Sequence, residues 1–306
     1  MQRIGLGLAA LGRPGYMTLH HGRDLDGHYE PAVMEARAHA VLDAAYAAGV
    51  RYIDVARSYG RGEAFLGSWL ANHGGEITIA SKWGYTYTGD WRVDAKVPEV
   101  KDHSVATLQR QIVESWGQLG AKLSIYQIHS VTAESTVLGD RDVLDMLARL
   151  RAMGIRVGLT VSGEGQRDAI RRALDVRRDG ERLFDVVQAT WNLFERGAES
   201  ALCEAHTAGL QVVVKEALAN GRLTEHDRVR AAGERLGVSA DAVALAAVLA
   251  RPWADIVLSG AATVPQLESN LRACRVQWDP ALEQFLAPLT IPSDEYWAFR
   301  RSFVWN

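Results

Sequence analysis

The sequence predicts an α/β protein folded as one closed (β/α)8 (TIM) barrel, and three observations predict it. Eight short runs rich in Val, Ile and Leu alternate with segments of helical period. The runs are apolar almost without interruption, as strands covered on both faces must be. Several helical segments stop at a glycine just before the next run. An open doubly wound sheet is the runner-up.

Strands are expected over Ile4 to Leu8, Arg51 to Val55, Ile77 to Ser81, Leu123 to Ile128, Ile155 to Val161, Leu183 to Gln188, Leu210 to Lys215 and Asp255 to Leu258. The intervening helices carry apolar faces at a 3.6-residue period, as in Val105, Leu108, Ile112, Trp116 and Leu119, a face predicted to be buried against strands. Gly49, Gly154 and Gly209 are read as helix stops, because glycine enters the left-handed conformation without a Cβ penalty. An extra helical stretch, Ser239 to Ala250, precedes the last strand. A tail from Asp279 to Asn306 carries Tyr296, Trp297, Phe299, Phe303 and Trp305, and is expected to pack near the barrel mouth. No Gly/Ser/Pro linker, low-complexity tract or repeat of residue identity divides the chain, so residues 1–306 are read as one domain.

Composition bounds the function. The 306 residues are 48% hydrophobic, too apolar for a disordered chain, and exceed the roughly 250 that one α/β barrel takes. With 34 basic against 37 acidic side chains the formal charge is −3, so there is no basic field to hold a polyanion and nucleic acid is not an expected partner. Cys203 and Cys274 stand alone in helix-like stretches; neither a disulfide framework nor a thiolate metal cage is expected, and both read as small buried apolar groups. No run approaches the roughly 18 apolar residues that span a bilayer. Ile4 to Leu11, after Arg3, has the size of a short signal core but is Gly-rich and lacks a cleavage site, and reads as the first strand of a cytoplasmic protein.

In such barrels the active site lies at the C-terminal ends of the strands. Four polar residues fall there: Asp54, Tyr59, Lys82 and His129. Singly, each has a bland reading, as a helix cap, a packing ring or a solvated charge. Together they fit reduction of a carbonyl by hydride, where the growing alkoxide needs a proton as hydride reaches carbon. A phenol has a reference pKa of about 10, and an ammonium about 4 Å away is worth about 4 kcal/mol at an effective dielectric of about 20, so Lys82 is expected to lower Tyr59 by up to roughly three units. Asp54 would keep Lys82 charged, and His129 would donate to the carbonyl oxygen.

The segments Arg51-Tyr-Ile-Asp-Val-Ala-Arg-Ser-Tyr-Gly60, Ser81-Lys-Trp-Gly84 and Ile125-Tyr-Gln-Ile-His129 resemble the aldo-keto reductase superfamily. So do Gly158-Leu-Thr-Val-Ser162, Val187-Gln-Ala-Thr-Trp-Asn192, Ser259-Gly-Ala-Ala-Thr263 and Gln266-Leu-Glu-Ser-Asn270, and nearly the whole chain is covered. The resemblance implies an NAD(P)-dependent oxidoreductase acting on an aldehyde, ketone or sugar hemiacetal, with Tyr59 as general acid, Asp54 and Lys82 as its tuning pair and His129 orienting the carbonyl. It further implies that Ser162 and Gln188 hold the nicotinamide carboxamide, that Lys215 to Gly221, Leu218 included, runs along the cofactor, and that Gly260, Thr263, Gln266 and Asn270 hold the adenosine phosphate end. The start of the last helix, near Thr263 and Val264, offers backbone N–H donors suited to phosphate.

Departures from the family pattern accompany the matches. Gly163 stands where an Asn usually follows the fifth-strand Ser, and Lys215 where an aromatic usually stacks on the nicotinamide, leaving Trp191 as the candidate to replace it. Gln266 occupies the place of an Arg that meets the 2′-phosphate. The resemblance slightly prefers NADP(H) over NAD(H), and Gln266 weakens that preference. The first strand begins almost at Met1, leaving no room for the hairpin that often plugs the barrel floor.

Other signals carry less. Gly5-Leu-Gly7-Leu-Ala-Ala-Leu-Gly12 approaches a dinucleotide fingerprint, but its third glycine comes two positions late. His20, His21 and His28 share a loop without a second ligand set, so no metal is expected and a solvated or substrate-lining loop is read instead. Trp83, Tyr85, Tyr87 and Trp91 form an aromatic loop, with Trp83 the first choice for substrate contact. The alternative to an enzyme is a nucleotide-binding regulatory subunit with little turnover. A metal-dependent barrel hydrolase would need a His pair at a strand end, which is not found.

Overall fold

The structure, a computed structural model, describes residues 3–305. Met1, Gln2 and Asn306, the last of them part of the expected tail, lie outside the described residues.

The strands are β1 (Ile4–Gly7), β2 (Tyr52–Asp54), β3 (Thr78–Trp83), β4 (Leu123–Val131), β5 (Arg156–Val161), β6 (Val186–Thr190), β7 (Gln211–Lys215) and β8 (Ile256–Ser259). They pair in parallel, each with its neighbours in sequence, and β1 closes on β8. Helices α1 (Pro31–Ala47), α2 (Gly62–Leu70), α3 (Val105–Leu119), α4 (Arg141–Ala152), α5 (Gln166–Leu174) and α6 (Glu199–Thr207) fill the first six connections. Between β7 and β8 run α7 (Asp227–Leu236) and α8 (Ala240–Leu249), the latter lying within the expected extra helical stretch. After β8 come α9 (Val264–Leu271), α10 (Pro280–Leu286) and α11 (Ser293–Arg301).

Local chemistry sets the helix ends. Ser104, Asp140, Thr263 and Asp279 each accept a backbone N–H of the first turn of the helix that follows, a cap worth about 1 kcal/mol. Gly49, Gly154 and Gly209 take the expected left-handed φ of 86–91°.

Strand alternation divides the interior into two sets. Tyr52, Ala80, Ile125, Val186, Val213 and Leu258 pack on one another inside the barrel. Their neighbours one residue away, such as Ile53, Ile79, Tyr126, Val187 and Val214, join the larger core shared with the helices. Two residues beyond the inner apolar layer, the same inward phase delivers Asp54, Lys82, Gln127 and Gln188, and Lys215 on β7, so the bore turns polar toward its C-terminal mouth.

That alternation corrects the expectations for Trp83 and Trp191. Trp83 follows the inward Lys82, so it points outward; it is fully buried in the outer core, edge-on to His103 at 5.7 Å, and does not line the mouth. Trp191 follows inward Thr190, is equally buried, and packs edge-on to Trp253 at 5.6 Å. On α3 the buried stripe runs through Leu108, Gln111, Ile112, Ser115 and Leu119, leaving Trp116 exposed. Its polar members serve the fold: Gln111 accepts from Gly84 N at 2.8 Å, and Ser115 donates to the buried Glu63 at 2.7 Å. Cys274 is exposed and Cys203 half-buried, so neither is the buried apolar group expected. Among the described residues, no helix is long and apolar enough to cross a membrane.

Candidate active site

A cavity of about 770 Å3 opens at the C-terminal mouth of the barrel. It runs from Tyr59 and His129, past Ser162, Gln188 and Lys215, along Leu218 and Gly221, to Gly260, Gln266 and Asn270. Lys82 lies directly behind this surface, and Thr263 caps α9 rather than lining the cavity.

At the Tyr59 end the geometry is a relay. Lys82 Nζ donates to Asp54 Oδ1 at 2.5 Å, to Val55 O at 3.1 Å and to the Tyr59 hydroxyl at 3.0 Å. Gln188 Nε2 donates to the other Asp54 oxygen at 2.8 Å, so both carboxylate oxygens are satisfied. The turn carrying Tyr59 is held close against the loop after β1. A Cβ on Gly12 would sit 2.2 Å from Tyr59 O, so Gly12 serves that approach and not a dinucleotide fingerprint. His129 stands edge-on to Tyr59, with ring centroids 5.8 Å apart. Its backbone carbonyl accepts from His103, and its buried Nδ1 has no partner among the described residues. The aromatic loop contributes Tyr85, not Trp83, to this corner: its ring lies 4.9 Å from that of His129.

The electrostatics differ from expectation at one point. Burial, with the Asp54 carboxylate beyond it, pushes the Tyr59 phenol well above its ordinary 10.0, and the Arg13 guanidinium pulls only partly the other way. Burial also lowers Lys82 against the opposing pull of Asp54. His129 is held well below 6.5 by burial and then by the charges of Lys82, Lys215 and Arg13, so its imidazole is neutral. The expected lowering counted the Lys82 charge on the phenol but not burial or the Asp54 field, which dominate.

Sequence reasoning singled out none of a second group of residues, although Glu216 falls within the Lys215 to Gly221 segment expected along the cofactor. Arg13 and Tyr16 come from the loop after β1, Glu99 from the hairpin formed by Tyr85–Tyr87 and Glu99–Lys101, Glu216 from the end of β7, and Arg300 from α11. Arg13 donates to Glu99 at 2.9 Å and to Ser58 O at 2.7 Å. Arg300 forks onto Glu216, with Nε 3.0 and 2.9 Å from its two oxygens. Glu216 sits at φ 56°, an uncommon conformation for a residue with a side chain, and Asn192 fixes its carbonyl at 2.9 Å. Burial would raise the Glu216 carboxyl, but Arg300 and Lys215 together bring it down to about 2. Lys215 donates to Thr190 at 3.0 Å and Ser162 at 3.3 Å, and burial lowers it to about 8. The tail reaches the mouth as expected, through Arg300 and through Trp305, whose ring lies 4.1 Å from the Arg13 guanidinium. The position of Arg13 and Tyr16 after the first strand was a readable signal; nothing local marks Arg300.

The far end of the cavity is bounded by Gly260, Gln266 and Asn270. A Cβ on Gly260 would meet nothing within 4 Å. The first turn of α9 follows directly, with Gln266 accepting from Ala262 N at 2.9 Å. The Asn270 amide, oriented to donate to Asp241 at 2.6 Å and to accept from Ser259 at 2.8 Å, ties α9 to the barrel. Two rims flank the groove and are joined across it. Leu19 N donates to Asn220 O at 3.0 Å, Asn220 Nδ2 donates to Met17 O at 2.9 Å, and His20 pairs with Glu225. Thus His20 and His21 line the cavity while His28 is exposed. Among the described residues no three His, Cys, Asp or Glu side chains converge as metal ligands.

The fold is a closed parallel barrel with a Lys-backed phenol and a histidine at the head of a long groove, and its family places it among the oxidoreductases. Residues 3–281 match the model of the Aldo/keto reductase family, and the chain belongs to that family of NAD(P)H-using oxidoreductases. It is similar to the protein Tas of Escherichia coli, 26% identical over 298 residues covering 79% of this chain and 86% of Tas. It is also similar to norsolorinic acid reductase of Emericella nidulans, 27% identical over 293 residues covering 85% of this chain and 73% of that protein. In structure it is similar to an aldo-keto reductase from Bacillus halodurans in its holo form, with a TM-score of 0.72, 18% identity and coverage of 95% and 92% of the two chains.

Proposed function

We propose that this chain is a single-domain carbonyl reductase or dehydrogenase in which Tyr59 is the proton donor and acceptor. The observation that carries the reading is the Asp54–Lys82–Tyr59 chain, with contacts of 2.5 and 3.0 Å, ending in a phenol that faces the cavity beside His129.

The residues fit a nicotinamide dinucleotide. The groove runs from Tyr59 to Asn270, His129 Nδ1 is buried with no partner among the described residues, and Gly260 leaves open space before α9. When bound, the nicotinamide supplies or removes hydride at the substrate carbon. Ser162 and Gln188 would hold its amide group, Leu218 and Gly221 would pass along the diphosphate, and Gly260 with the first turn of α9 would take the adenosine phosphate end.

In the reducing direction the Tyr59 hydroxyl gives its proton to the forming alkoxide, and Lys82 stabilises the phenolate left behind at 3.0 Å. Neutral His129 directs the carbonyl oxygen toward that proton. Buried Asp54 keeps the ammonium aimed, with Gln188 completing its shell. In the oxidising direction the same phenolate accepts the hydroxyl proton. No feature of the site favours a regulatory subunit without turnover.

The test is absorbance at the nicotinamide band, with NADH and NADPH supplied separately, against sugars, aromatic aldehydes and pyridine aldehydes. Turnover abolished by Tyr59→Phe supports the reading; turnover that survives the substitution defeats it.

A further inference from the structure

The charges at the reacting end of the cavity do not cancel. Asp54 is matched by Lys82, and Glu99 by Arg13. Glu216 is forked by Arg300, with Nε 3.0 and 2.9 Å from its two oxygens, and also lies 3.8 Å from Lys215. Two cations thus share one carboxylate. Lys215, whose hydrogen bonds go to the neutral hydroxyls of Thr190 and Ser162, holds the charge in excess. His129 adds none, because burial and the surrounding cations keep its imidazole neutral.

Lys215 also stands close to Tyr59 and His129. Ser162, which accepts from it at 3.3 Å, lies 3.3 Å from Ser130, the residue after His129. Ser162, Gln188 and Lys215 wall the stretch of cavity next to the phenol and the imidazole. A hydride donor or acceptor serving a carbon whose oxygen meets Tyr59 occupies that stretch, since hydride passes only between atoms in near contact. The two redox forms of a nicotinamide differ there by one positive charge, spread over the oxidised ring. An aromatic wall would attract that charge, whereas an ammonium repels it.

Resting on the reading of the groove as a dinucleotide site, we propose that Lys215 makes this chain discriminate between redox forms, favouring the neutral reduced nicotinamide and disfavouring the cationic oxidised one. The diphosphate of both forms feels the same field, so the effect appears in the ratio of their affinities. At an effective dielectric of about 20, two unit charges about 10 Å apart shift such a ratio by roughly 10-fold. By linkage, the bound couple then accepts hydride more readily than the couple in water.

The experiment titrates the full chain, without substrate, with NADH, NAD+, NADPH and NADP+, reading the quenching of protein fluorescence. The pair that binds supplies the ratio of oxidised to reduced Kd. Lys215→Met should lower that ratio by about 10-fold, through tighter binding of the oxidised form. Lys215→Arg keeps the charge and should leave the ratio near the wild-type value. A ratio unmoved in Lys215→Met, including an equal loss for both forms, overturns the proposal, because Lys215 would then be a hydrogen-bonding or structural contact only.

A pH series gives a second readout that needs no neutral variant. Burial lowers Lys215 to about 8 against the pull of Glu216, with Arg300, Lys82 and Asp54 the other charges facing it and His129 neutral beside it. The wild-type ratio should therefore fall between about pH 7 and about pH 9, while in Lys215→Arg, whose guanidinium does not titrate there, it stays level. A ratio flat in both proteins overturns the proposal; so does one that falls in both, since Lys82 would then be the titrating group. Binding of none of the four dinucleotides overturns the proposed function and this inference with it, whereas binding with a ratio indifferent to Lys215 overturns the inference alone.

Discussion

The Tyr59 hydroxyl stands 3.0 Å from the Lys82 ammonium, yet burial and the Asp54 carboxylate hold its proton more tightly than water would. The ammonium is therefore poised less to acidify the resting phenol than to receive the negative charge once the proton has left. A phenol held well above 10.0 stays protonated through the neutral range, the state that reduction needs. Oxidation needs the phenolate, so its kcat/KM should climb across neutral and alkaline pH while that of reduction stays level. Steady-state pH profiles in the two directions check this; parallel profiles would show that another group controls both.

Tyr59→Phe should lower turnover by about 10²–10⁴-fold, the contribution of a positioned acid, while leaving dinucleotide binding nearly intact. Cofactor titration by protein fluorescence separates the two quantities.

Lys82→Met removes one partner of a pair whose side chains are 1% and 3% exposed, stranding Asp54 with Gln188 alone. The expected loss of stability is about 3–5 kcal/mol, read from urea unfolding, in addition to loss of turnover. Asp54→Asn with Lys82→Met should recover part of that stability without recovering activity.

Glu216 gives a signed acid dependence. Its folded pKa of about 2 lies below the ordinary 4.5, so its contribution is fully present above pH 4.5 and is lost as pH falls toward about 2. Wild type should exceed Glu216→Gln in Tm at pH 7 by more than at about pH 3. An equal gap at both values would remove the Arg300 pair from the account.

Gln266→Arg should raise affinity for the 2′-phosphorylated cofactor relative to the unphosphorylated one by about 10-fold, since a guanidinium can fork onto phosphate where an amide cannot. Fluorescence titration with NADPH and NADH measures the ratio.

The eight strands were legible because each is a short apolar run closed by punctuation, and every one overlaps its expected span. Asp54, Tyr59, Lys82 and His129 were legible because strand ends are fixed by those runs. Trp83 and Trp191 were misread because proximity in sequence was taken for proximity in space, whereas one step along a strand reverses the face. Trp116 failed similarly, since Gln111 and Ser115 were preferred inward by polar partners that no hydrophobic pattern records. Arg300 meets Glu216 across 84 residues, a pairing set only by the path of the tail over the finished barrel.

The three ties between the Met17–His20 segment and the Asn220–Glu225 segment make the groove a passage with a crossbar. For a dinucleotide bound in the groove as proposed, release would require that bar to lift, and the pace of a catalytic cycle would then be open to control by residues that touch no reacting atom. His20→Ala, which deletes the most exposed tie, should hasten dinucleotide release in stopped-flow fluorescence, and where release limits the cycle the turnover number should rise with it.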